Sequence, residues 1–525
     1  MKSTIKVILL AITINGFVWQ LVIPPFEYPD EQAHFAQVQD IAEIGHVPTQ
    51  GRDTSLEVQQ SEIFLRTERD NQGNNYFTYH PERKITYTGT VEGFGEQSIK
   101  NLPGTARSTL IKKESTLNPP VYYQLASLFY KAAFNVDLFT RIFIVRLLSL
   151  VFLILTAYFT FKTGKLIFKS EVLPLVLMVM VGFMPMFVYA STGILPDSFT
   201  NFLMTVVIYL NLNLLKKGIS VKKLLILVSV IALGVYSRQQ FLMAIPFTLV
   251  PILVRTKNNL RHMAIFIISF SFLILFILIA TFFFGSVPVI GAFTLPDAHI
   301  LYRARSLLSV HLLYFVKGFI LESYRQTFPW FWGVYKWLSL TMPMYYYQLI
   351  KGILILSFIG LCLSVRRAFT TKKISQELIS IMFMIYVTTV YFLFFIVWGY
   401  LFTKTNNYSF GFQGRYFFPI IVPIMAIIVY GMESILETIF KRFASTSLVI
   451  FTLTILVLNG FSLFVVAHSY YVTTNLNIFT NHISSYKPEL IKGPIIPMII
   501  FLSFALQGYM LIKLTNKLQL STRKQ

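Results

Sequence analysis

The feature that most constrains this chain is a series of long apolar runs spread over almost its whole length. A helix that crosses a bilayer needs about 20 mainly apolar residues. Charged residues make up 13% of the chain, about half the share usual in a soluble domain. We therefore predict an all-α membrane protein of about twelve transmembrane helices. The candidate spans are 5–23, 138–161, 172–192, 197–214, 223–237, 240–254, 263–284, 344–364, 378–400, 415–435, 446–467 and 495–512.

Lysines and arginines in alternate short loops predict the orientation of these spans. Basic residues are retained on the cytoplasmic side, and each cluster falls on the side of Lys2 and Lys6. We therefore expect a multi-pass plasma-membrane protein with both termini in the cytoplasm. Pro24 and Pro25 follow the first run in place of a cleavage site, which favours an uncleaved signal anchor. The net charge of +22 is scattered over short loops and forms no continuous face for nucleic acid.

Two long segments lie on the other side, within a single membrane domain 1–525. The first, 24–137, holds fifteen of the 23 acidic residues, and its polar composition with Tyr and Pro predicts a folded extracytoplasmic cap. The second, 285–343, contains an amphipathic stretch at 311–320 and an aromatic cluster at 328–332. Trp and Tyr favour the membrane–water boundary, so we expect interfacial helices there. Cys362 is the single cysteine, which excludes an intramolecular disulfide and a thiolate metal site.

An acidic pair, Asp30 and Glu31, stands directly outside the first predicted span. Pro29 fixes the turn before it, and a helix-like run follows. Asp30 could be the N-cap of that helix. Alternatively, a carboxylate at the edge of the membrane could act as general base on an acceptor hydroxyl. His34 lies one helical turn further on, on the same face.

Two arginines on the same predicted side could hold a phosphate. Arg415 follows Gln413 and Gly414 at the start of the tenth predicted span, where a helix N-terminus favours anions. Gly414 would let a ligand approach the backbone, and arginine suits bidentate phosphate contact. Arg238 lies in the polar hairpin 237–240. An ionisable group there indicates a cavity or a partner, and snorkelling of the side chain would explain it equally well. An interfacial Arg–aromatic anchor is the alternative for Arg415.

Three further polar residues are expected on the outer side. Asn118 and Tyr122 flank a Pro-Pro pair that could start a helix, or could supply hydrogen bonds to a substrate. Asp197 follows Pro196 at the outer end of a span, where helix capping is the alternative to a functional role. Carboxylates and phosphate-suited arginines at one membrane face together suggest transfer from a phosphate-bearing lipid.

Four segments in this order also carry a family resemblance: 29–34 (PDEQAH), 118–123 (NPPVYY), 331–338 (FWGVYKWL) before Pro343, and 413–419 (QGRYFFP). On these the chain resembles the GT-C superfamily of polytopic glycosyltransferases, which take a sugar from a polyprenyl-phosphate lipid on the outer membrane face. More closely, it resembles a bacterial family of predicted membrane proteins of unknown function related to protein O-mannosyltransferases. Asn118 departs from the His that many relatives have there.

The resemblance implies a GT-C-like fold and an inverting sugar transfer in the cell envelope. Asp30 matches the catalytic base, and Glu31, also expected to be catalytic, matches the neighbouring acidic residue of the mannosyltransferase branch. Arg415, with Arg238, would bind the donor phosphate. We expect the substrate to contact six residues: His34, Asn118, Tyr122, Asp197, Gln413 and Trp332. The implied partners are a polyprenyl-phosphate sugar, the lipid bilayer, and a surface glycan, lipid or cell-wall polysaccharide acceptor.

Other functions are compatible with the same pattern. A membrane transporter or lipid-linked glycan flippase would also have about twelve spans, but transporters place ionisable residues near the bilayer midplane. A polymer ligase would use the same kind of donor. We expect no cofactor. A divalent cation is possible, since Asp30, Glu31, His34 and Asp197 offer hard oxygen and imidazole ligands.

Overall fold

The computed structural model describes residues 2–45, 54–70, 75, 78, 80, 82, 85–88, 90–112, 119–256, 310–406, 412–439 and 444–522, and every structural statement below concerns these. The first third contains α1 (Lys2–Val22), α2 (Glu31–Ile44), β1 (Thr54–Ser55), α3 (Leu56–Leu65), α4 (Thr90–Lys100), a 3₁₀ turn (Gly104–Arg107), β2 (Leu110–Lys112), α5 (Val121–Ala132) and α6 (Leu138–Ile167). Next come α7 (Leu173–Gly182), α8 (Pro185–Ala190), α9 (Pro196–Lys217), α10 (Val221–Val235), a 3₁₀ turn (Gln239–Met243) and α11 (Ala244–Thr256).

The remaining described part begins with α12 (Val310–Glu322), a π-helical turn (Ser323–Thr327), α13 (Phe328–Gly333) and the short hairpin β3 (Val334–Tyr335) and β4 (Leu340–Thr341). It continues with α14 (Met344–Thr371), α15 (Gln376–Asn406), a 3₁₀ helix (Gly414–Ile420) and α16 (Ile421–Ile439). The chain then forms α17 (Ala444–Tyr471), α18 (Leu476–Ser484), a 3₁₀ turn (Glu489–Ile491) and α19 (Ile495–Thr522).

The predicted all-α membrane fold is confirmed, whereas the count of twelve spans is not. Eight helical segments of the described chain are long and apolar enough to cross a membrane: 2–22, 138–167, 196–217, 344–371, 376–400, 414–439, 447–471 and 495–519. The predicted span 172–192 is instead two helices, because Met184 is extended and Pro185 starts a new helix. Helix α10 has 15 residues, which reach about 22 Å, less than the hydrocarbon core. The predicted span 263–284 lies outside the described residues.

Helices α14 and α16 cross with their backbones almost in contact. A Cβ on Gly360 would lie 1.9 Å from the Gly431 carbonyl oxygen, and one on Gly431 would lie 2.0 Å from that of Ser357. The Ser357 hydroxyl donates to the Ile428 carbonyl oxygen at 3.1 Å. Small residues permit such close packing between membrane helices, and this crossing holds α14 against α16, the helix that continues the 3₁₀ helix Gly414–Ile420.

The segment 24–137 folds over one end of this bundle through its described residues. Helix α2 packs against α5, and β1 pairs antiparallel with β2. A buried ion pair ties the segment to α6: the Arg141 Nη2 donates to Oε1 of Glu57 at 2.5 Å. Arg141 also donates to the hydroxyl of Tyr130 on α5. Buried charges are stable only when paired in this way, so the segment is held in one position relative to the spans.

A second buried ion pair sets the turn between α1 and α2. Arg146 on α6 donates to both carboxylate oxygens of Glu31, at 2.8 and 2.6 Å. The same guanidinium donates to the carbonyl oxygens of Gln20, Ile23 and Pro24 at 3.3, 3.0 and 2.8 Å. Because arginine has five donors in a rigid fork, it can hold the end of α1 and the start of α2 at once. This fixes the position of Asp30.

Candidate functional site

Asp30 occupies the N-cap position of α2 without acting as a cap. Its backbone is left-handed, with φ of 61°, and its side chain makes no capping hydrogen bond. The carboxylate instead accepts from two arginines: Oδ1 from the Arg69 Nη1 at 2.9 Å and Oδ2 from the Arg415 Nη2 at 2.8 Å. The side chain stays 30% exposed. A non-glycine residue held in this conformation by its surroundings is typical of functional sites.

The two arginines decide the charge on Asp30. Burial alone would raise the pKa of this carboxyl, but the charges of Arg415 and Arg69 outweigh burial and lower the pKa to about 2. Opposite charges within hydrogen-bond distance favour the ionised form in this way. Asp30 is therefore a carboxylate at neutral pH, able to accept a proton but only weakly basic while both arginines hold it.

Arg415 has donor capacity beyond its bond to Asp30. The side chain is 7% exposed, and its Nε and Nη1 are buried with no hydrogen-bond partner among the described residues. Unsatisfied buried donors are rare, and a guanidinium with free N–H groups is suited to an oxyanion. The expectation for Gly414 was wrong, because a Cβ there would lie 2.1 Å from the Phe331 nitrogen. The absent side chain makes room for α13 and not for a ligand.

A second ion pair joins Asp197 to Arg238. The Arg238 Nη2 lies 2.7 Å from Oδ1 of Asp197, and the two side chains are 21% and 11% exposed. Asp197 lies in the first turn of α9, behind the N-cap Leu195. Within the described chain, the Arg238 Nε and the Asp197 Oδ2 are buried without a hydrogen-bond partner. Asp197 is therefore paired with Arg238 and does not act only as a helix cap, and Arg238 is paired with Asp197 and does not act only as a snorkelling side chain.

His34 and Tyr123 form a buried hydrogen-bonded pair beside these charges. The His34 Nδ1 lies 2.7 Å from the Tyr123 hydroxyl. Burial lowers the pKa of His34 to about 3, helped by the positive charges of Arg238, Arg415 and Arg69 and opposed by Asp30. The imidazole is therefore neutral at pH 7 and serves as a hydrogen-bonding group rather than a charge.

These groups form one cluster of charged side chains. The same electrostatic neighbourhood links Tyr416 to Arg415, Asp30, Arg238 and Asp197. Three arginines, Arg69 included, face two carboxylates across this cluster, and the neutral His34 adds no charge. The guanidinium groups of this cluster suit bidentate contact with an anion such as a phosphate.

The other predicted site residues lie at the edges of this cluster or outside it. Glu31 is fully buried and accepts from Arg146 and from the backbone N–H groups of Phe26 and Ile194 at 2.9 and 3.1 Å. Tyr122 is buried, with its hydroxyl 3.2 Å from that of Ser149. Asn118 lies outside the described residues.

A narrow cleft beside Arg415 includes one of the two remaining predicted residues. Gln413 lines it together with Pro29, Trp330 and Trp337. Trp332 is buried in the adjoining core, where its carbonyl oxygen accepts from the Tyr346 hydroxyl at 3.0 Å. Trp330 and Trp337, which are close to Trp332 in sequence, line the cleft, and substrate contact by Trp332 stays a prediction.

Arg69 and Tyr123 were not predicted. Arg69 follows α3 in the long first loop, and no local pattern distinguishes it from the other basic residues there. Tyr123 is adjacent to the predicted Tyr122, and the direction of each ring depends on how α5 packs. Among the described residues, no three His, Cys, Asp or Glu side chains group in a way that could hold a metal ion.

Several solved structures are similar to this chain. One is the archaeal oligosaccharyltransferase AglB from Archaeoglobus fulgidus in complex with an inhibitory peptide and a dolichol-phosphate, with a TM-score of 0.46 and 11% identity. The similarity covers 90% of this chain and 56% of AglB, so the chain spans little more than half the length of that protein.

Two others are of ArnT from Cupriavidus metallidurans. The apo state gives a TM-score of 0.42 and 10% identity, covering 97% of this chain and 76% of ArnT. The form bound to undecaprenyl phosphate gives 0.41 and 11%, covering 97% and 77%. No curated protein matched the sequence.

A family of predicted membrane proteins, DUF2142, matches residues 14–424. The match covers more than three quarters of the chain and includes Asp30, Asp197, Arg238 and Arg415. The predicted kinship with a family of membrane proteins is therefore confirmed, and the chain belongs to the DUF2142 family of predicted membrane proteins.

Proposed function

We propose that this protein is a glycosyltransferase that moves a sugar from a polyprenyl-phosphate donor to a hydroxyl of a surface glycan, lipid or polymer. The observation that carries the proposal is the contact between Asp30 and Arg415. The Asp30 carboxylate, which can accept a proton, lies 2.8 Å from the buried Arg415 guanidinium. The Nε and Nη1 of this guanidinium have no hydrogen-bond partner among the described residues. A transfer with a phosphate leaving group needs both groups.

In the proposed reaction the donor phosphate binds Arg415, with Arg238 contributing positive charge. Asp30 accepts the proton of the acceptor hydroxyl as its oxygen attacks the anomeric carbon. The bond between the anomeric carbon and the phosphate oxygen breaks, and its electron pair leaves on the polyprenyl phosphate. The configuration inverts, and the proton on Asp30 passes to solvent through its exposed edge. Preorganised positive charge at the leaving group is worth a large share of such a barrier.

Donor binding would also make Asp30 a better base. While both arginines hold it, the pKa of Asp30 is about 2. A phosphate on Arg415 compensates part of the guanidinium charge, so the pKa of Asp30 rises towards its ordinary value. The Asp30 carboxylate would then become more basic only when the donor is bound, so that it would not take up a proton before the donor arrives.

Glu31 has a positioning role in this proposal. Its oxygens are occupied by Arg146 and by two backbone N–H groups, so it holds α2 and thereby Asp30. His34 and Tyr123 would bind acceptor hydroxyls, since their pair is neutral and lies within reach of the same charges. We place the site on the extracytoplasmic face, in agreement with the distribution of basic loops.

A transporter or flippase is the alternative. It is less favoured because the charged groups of the site meet at the ends of helices: Asp30 after α1, Asp197 at the start of α9 and Arg238 after α10. A transport path would place such groups near the middle of the membrane.

The test is sugar transfer from radiolabelled polyprenyl-phosphate hexoses to envelope acceptors in membranes. We expect Asp30→Asn to lower kcat by at least about 100-fold, because an amide cannot take the proton. Arg415→Gln should have an effect of similar size. Asp137→Asn is the matched control, because Asp137 caps α6 through the Phe139 and Thr140 N–H groups and asparagine caps equally well.

Full transfer by Asp30→Asn would overturn the mechanism. Movement of the labelled lipid between leaflets without any sugar transfer would overturn the enzyme assignment and favour the flippase.

A further inference from the structure

The turn between β3 and β4 has an unusual backbone. Lys336, Trp337 and Leu338 are three consecutive non-glycine residues with φ of 53°, 52° and 64°. The left-handed region is unfavourable for each of them because Cβ approaches the following carbonyl oxygen. A two-residue turn containing Gly or Asn would close such a hairpin without this strain. Runs of strained residues persist only where the surroundings enforce them, and they cluster at ligand sites.

Lys336 anchors this turn from inside the protein. Its side chain is fully buried, and its Nζ donates to the carbonyl oxygens of Ile85 at 2.5 Å and Ser469 at 3.0 Å. It also lies 4.2 Å from the centre of the Tyr470 ring. The Ser339 hydroxyl donates to the Lys336 carbonyl oxygen at 2.5 Å. The first residue of the turn is thus tied to the folded first loop and to the end of α17.

The turn places Trp337 and Leu338 against the site. Both line the narrow cleft that also contains Pro29, Gln413 and Arg415. The enclosed space is about 10 Å³, room for one water-sized group. A single hydroxyl group has that size. The cleft therefore suits the insertion of one hydroxyl beside Arg415 rather than a whole ring.

Trp337 carries an unused donor. The side chain is 5% exposed, and its Nε1 is buried with no hydrogen-bond partner in the described part of the chain. Burying an indole N–H without a partner is costly, and Tyr and Trp usually find one when buried. The unpartnered Arg415 Nε and Nη1 belong to a residue that lines the same cleft. Two residues with free donors thus lie around one hydroxyl-sized space.

We infer that this cleft receives one hydroxyl of the donor sugar, and that the Trp337 indole N–H donates to this hydroxyl of the hexose attached to the phosphate held by Arg415. The inference rests on the proposed function. Trp337 is then a specificity-determining residue: a sugar that lacks this hydroxyl, or presents it on the other face of the ring, leaves the indole donor unpaired. Sites built to bind a hydroxyl reject analogues without it strongly.

The test compares polyprenyl-phosphate hexoses with their monodeoxy analogues as donors. With the wild-type protein, one analogue should have kcat/KM lower by about tenfold, the effect of one lost hydrogen bond. Trp337→Phe keeps an aromatic side chain and removes the N–H, so it should lower kcat/KM for the parent sugar about tenfold and leave that for the deoxy analogue unchanged. Trp337→His, which keeps a ring N–H, should restore part of the discrimination. Trp398→Phe, on α15 and outside the cleft lining, should discriminate as the wild type does.

Equal discrimination by wild type and Trp337→Phe would overturn the subsite while transfer itself persists. The same kcat/KM of the wild type for the parent sugar and for all deoxy analogues would also overturn the subsite. This comparison uses the wild-type protein alone and does not depend on whether a variant folds. Absence of transfer from every polyprenyl-phosphate hexose would overturn the proposed function, and the subsite with it.

Discussion

In the proposed mechanism, Arg69 stabilises the ionised form of the base Asp30 and has no role in the departure of the leaving group. It bonds Oδ1 of Asp30, whereas Arg415 bonds Oδ2. Both arginines stabilise the ionised form of the carboxylate. Arg69 comes from the first loop and Arg415 from the 3₁₀ helix Gly414–Ile420, so the charge on Asp30 also depends on the loop being folded over the bundle.

We predict that Arg69→Gln shifts the acid limit of activity. Removing a positive charge destabilises the carboxylate, so the pKa of Asp30 rises from about 2 towards its ordinary value near 4. Activity requires the unprotonated form and is lost as pH falls through this pKa. The profile of kcat/KM between pH 3 and 6 reports the free enzyme. It should show an acid limb near pH 4 in the variant and no limb from Asp30 above pH 3 in the wild type.

The matched control is Arg367→Gln, because Arg367 is a solvent-facing arginine that donates to the Thr438 hydroxyl at 3.2 Å. It should leave the profile unchanged. Coincident profiles for wild type and Arg69→Gln would show that Asp30 is not the group that limits activity in acid.

Residues of the site were predictable where a local pattern places them. Asp30 follows the first span, Arg415 starts a late one, and both lie at positions that the hydropathy pattern defines. The pattern gives no information about non-local packing. It therefore missed Arg69, whose partner is 39 residues away, and it favoured Trp332 over Trp337 because the left-handed turn that redirects the chain has no signature in the sequence.

At the scale of elements, the contact between α13 and the 3₁₀ helix Gly414–Ile420 positions Arg415. A Cβ on Gly414 would lie 2.1 Å from the Phe331 nitrogen and 2.4 Å from its Cα, closer than any real contact. Rings on both sides extend the packing, with Phe331 and Phe418 centroids 5.3 Å apart. The short 3₁₀ helix therefore has one position available, and Arg415 follows its first residue.

We predict that Gly414→Ala moves this 3₁₀ helix away from α13 and carries Arg415 with it. A displacement of about 1 Å at a catalytic group can lower kcat on the order of 100-fold, and overpacking costs roughly 1–3 kcal/mol of stability. Transfer assays and thermal unfolding in detergent measure the two effects. Gly352→Ala on α14 is the matched control, since nothing lies within 4 Å of its Cβ. Unchanged kcat in Gly414→Ala would show that the two elements adjust independently.

Eight helices of the described chain are long and apolar enough to be spans, and the other predicted spans among the described residues are shorter helices. Proline divides α7 from α8 within one apolar run, since its ring cannot continue the helix. The helices of the first loop depend instead on buried polar partners, such as Glu57 for Arg141. Those partners are distant in sequence, so composition predicts a folded loop but not its arrangement.

At the scale of the whole molecule, the site and the described parts of the segments 24–137 and 285–343 lie at one end of the bundle. Lys100 of α4 donates to Glu489 at 2.6 Å, which joins the first loop to the 3₁₀ turn Glu489–Ile491 before α19. Helix α14 leaves this end at Met344 and ends at Thr371, about 42 Å further along its axis. The positions of Leu490 and Phe369, 88% and 79% exposed, therefore mark opposite ends.

We predict that Leu490 faces the extracytoplasmic side and Phe369 the cytoplasm, because basic residues cluster beside Phe369. Cys362 is the only cysteine of the chain, so Cys362→Ser gives a background for Leu490→Cys and Phe369→Cys. A membrane-impermeant maleimide should label the first variant in intact cells and the second only after lysis. The reverse pattern would place Asp30 and Arg415 in the cytoplasm. The polyprenyl-phosphate donor would then have to be used on the face where it is made, and an outward-facing transferase would be excluded.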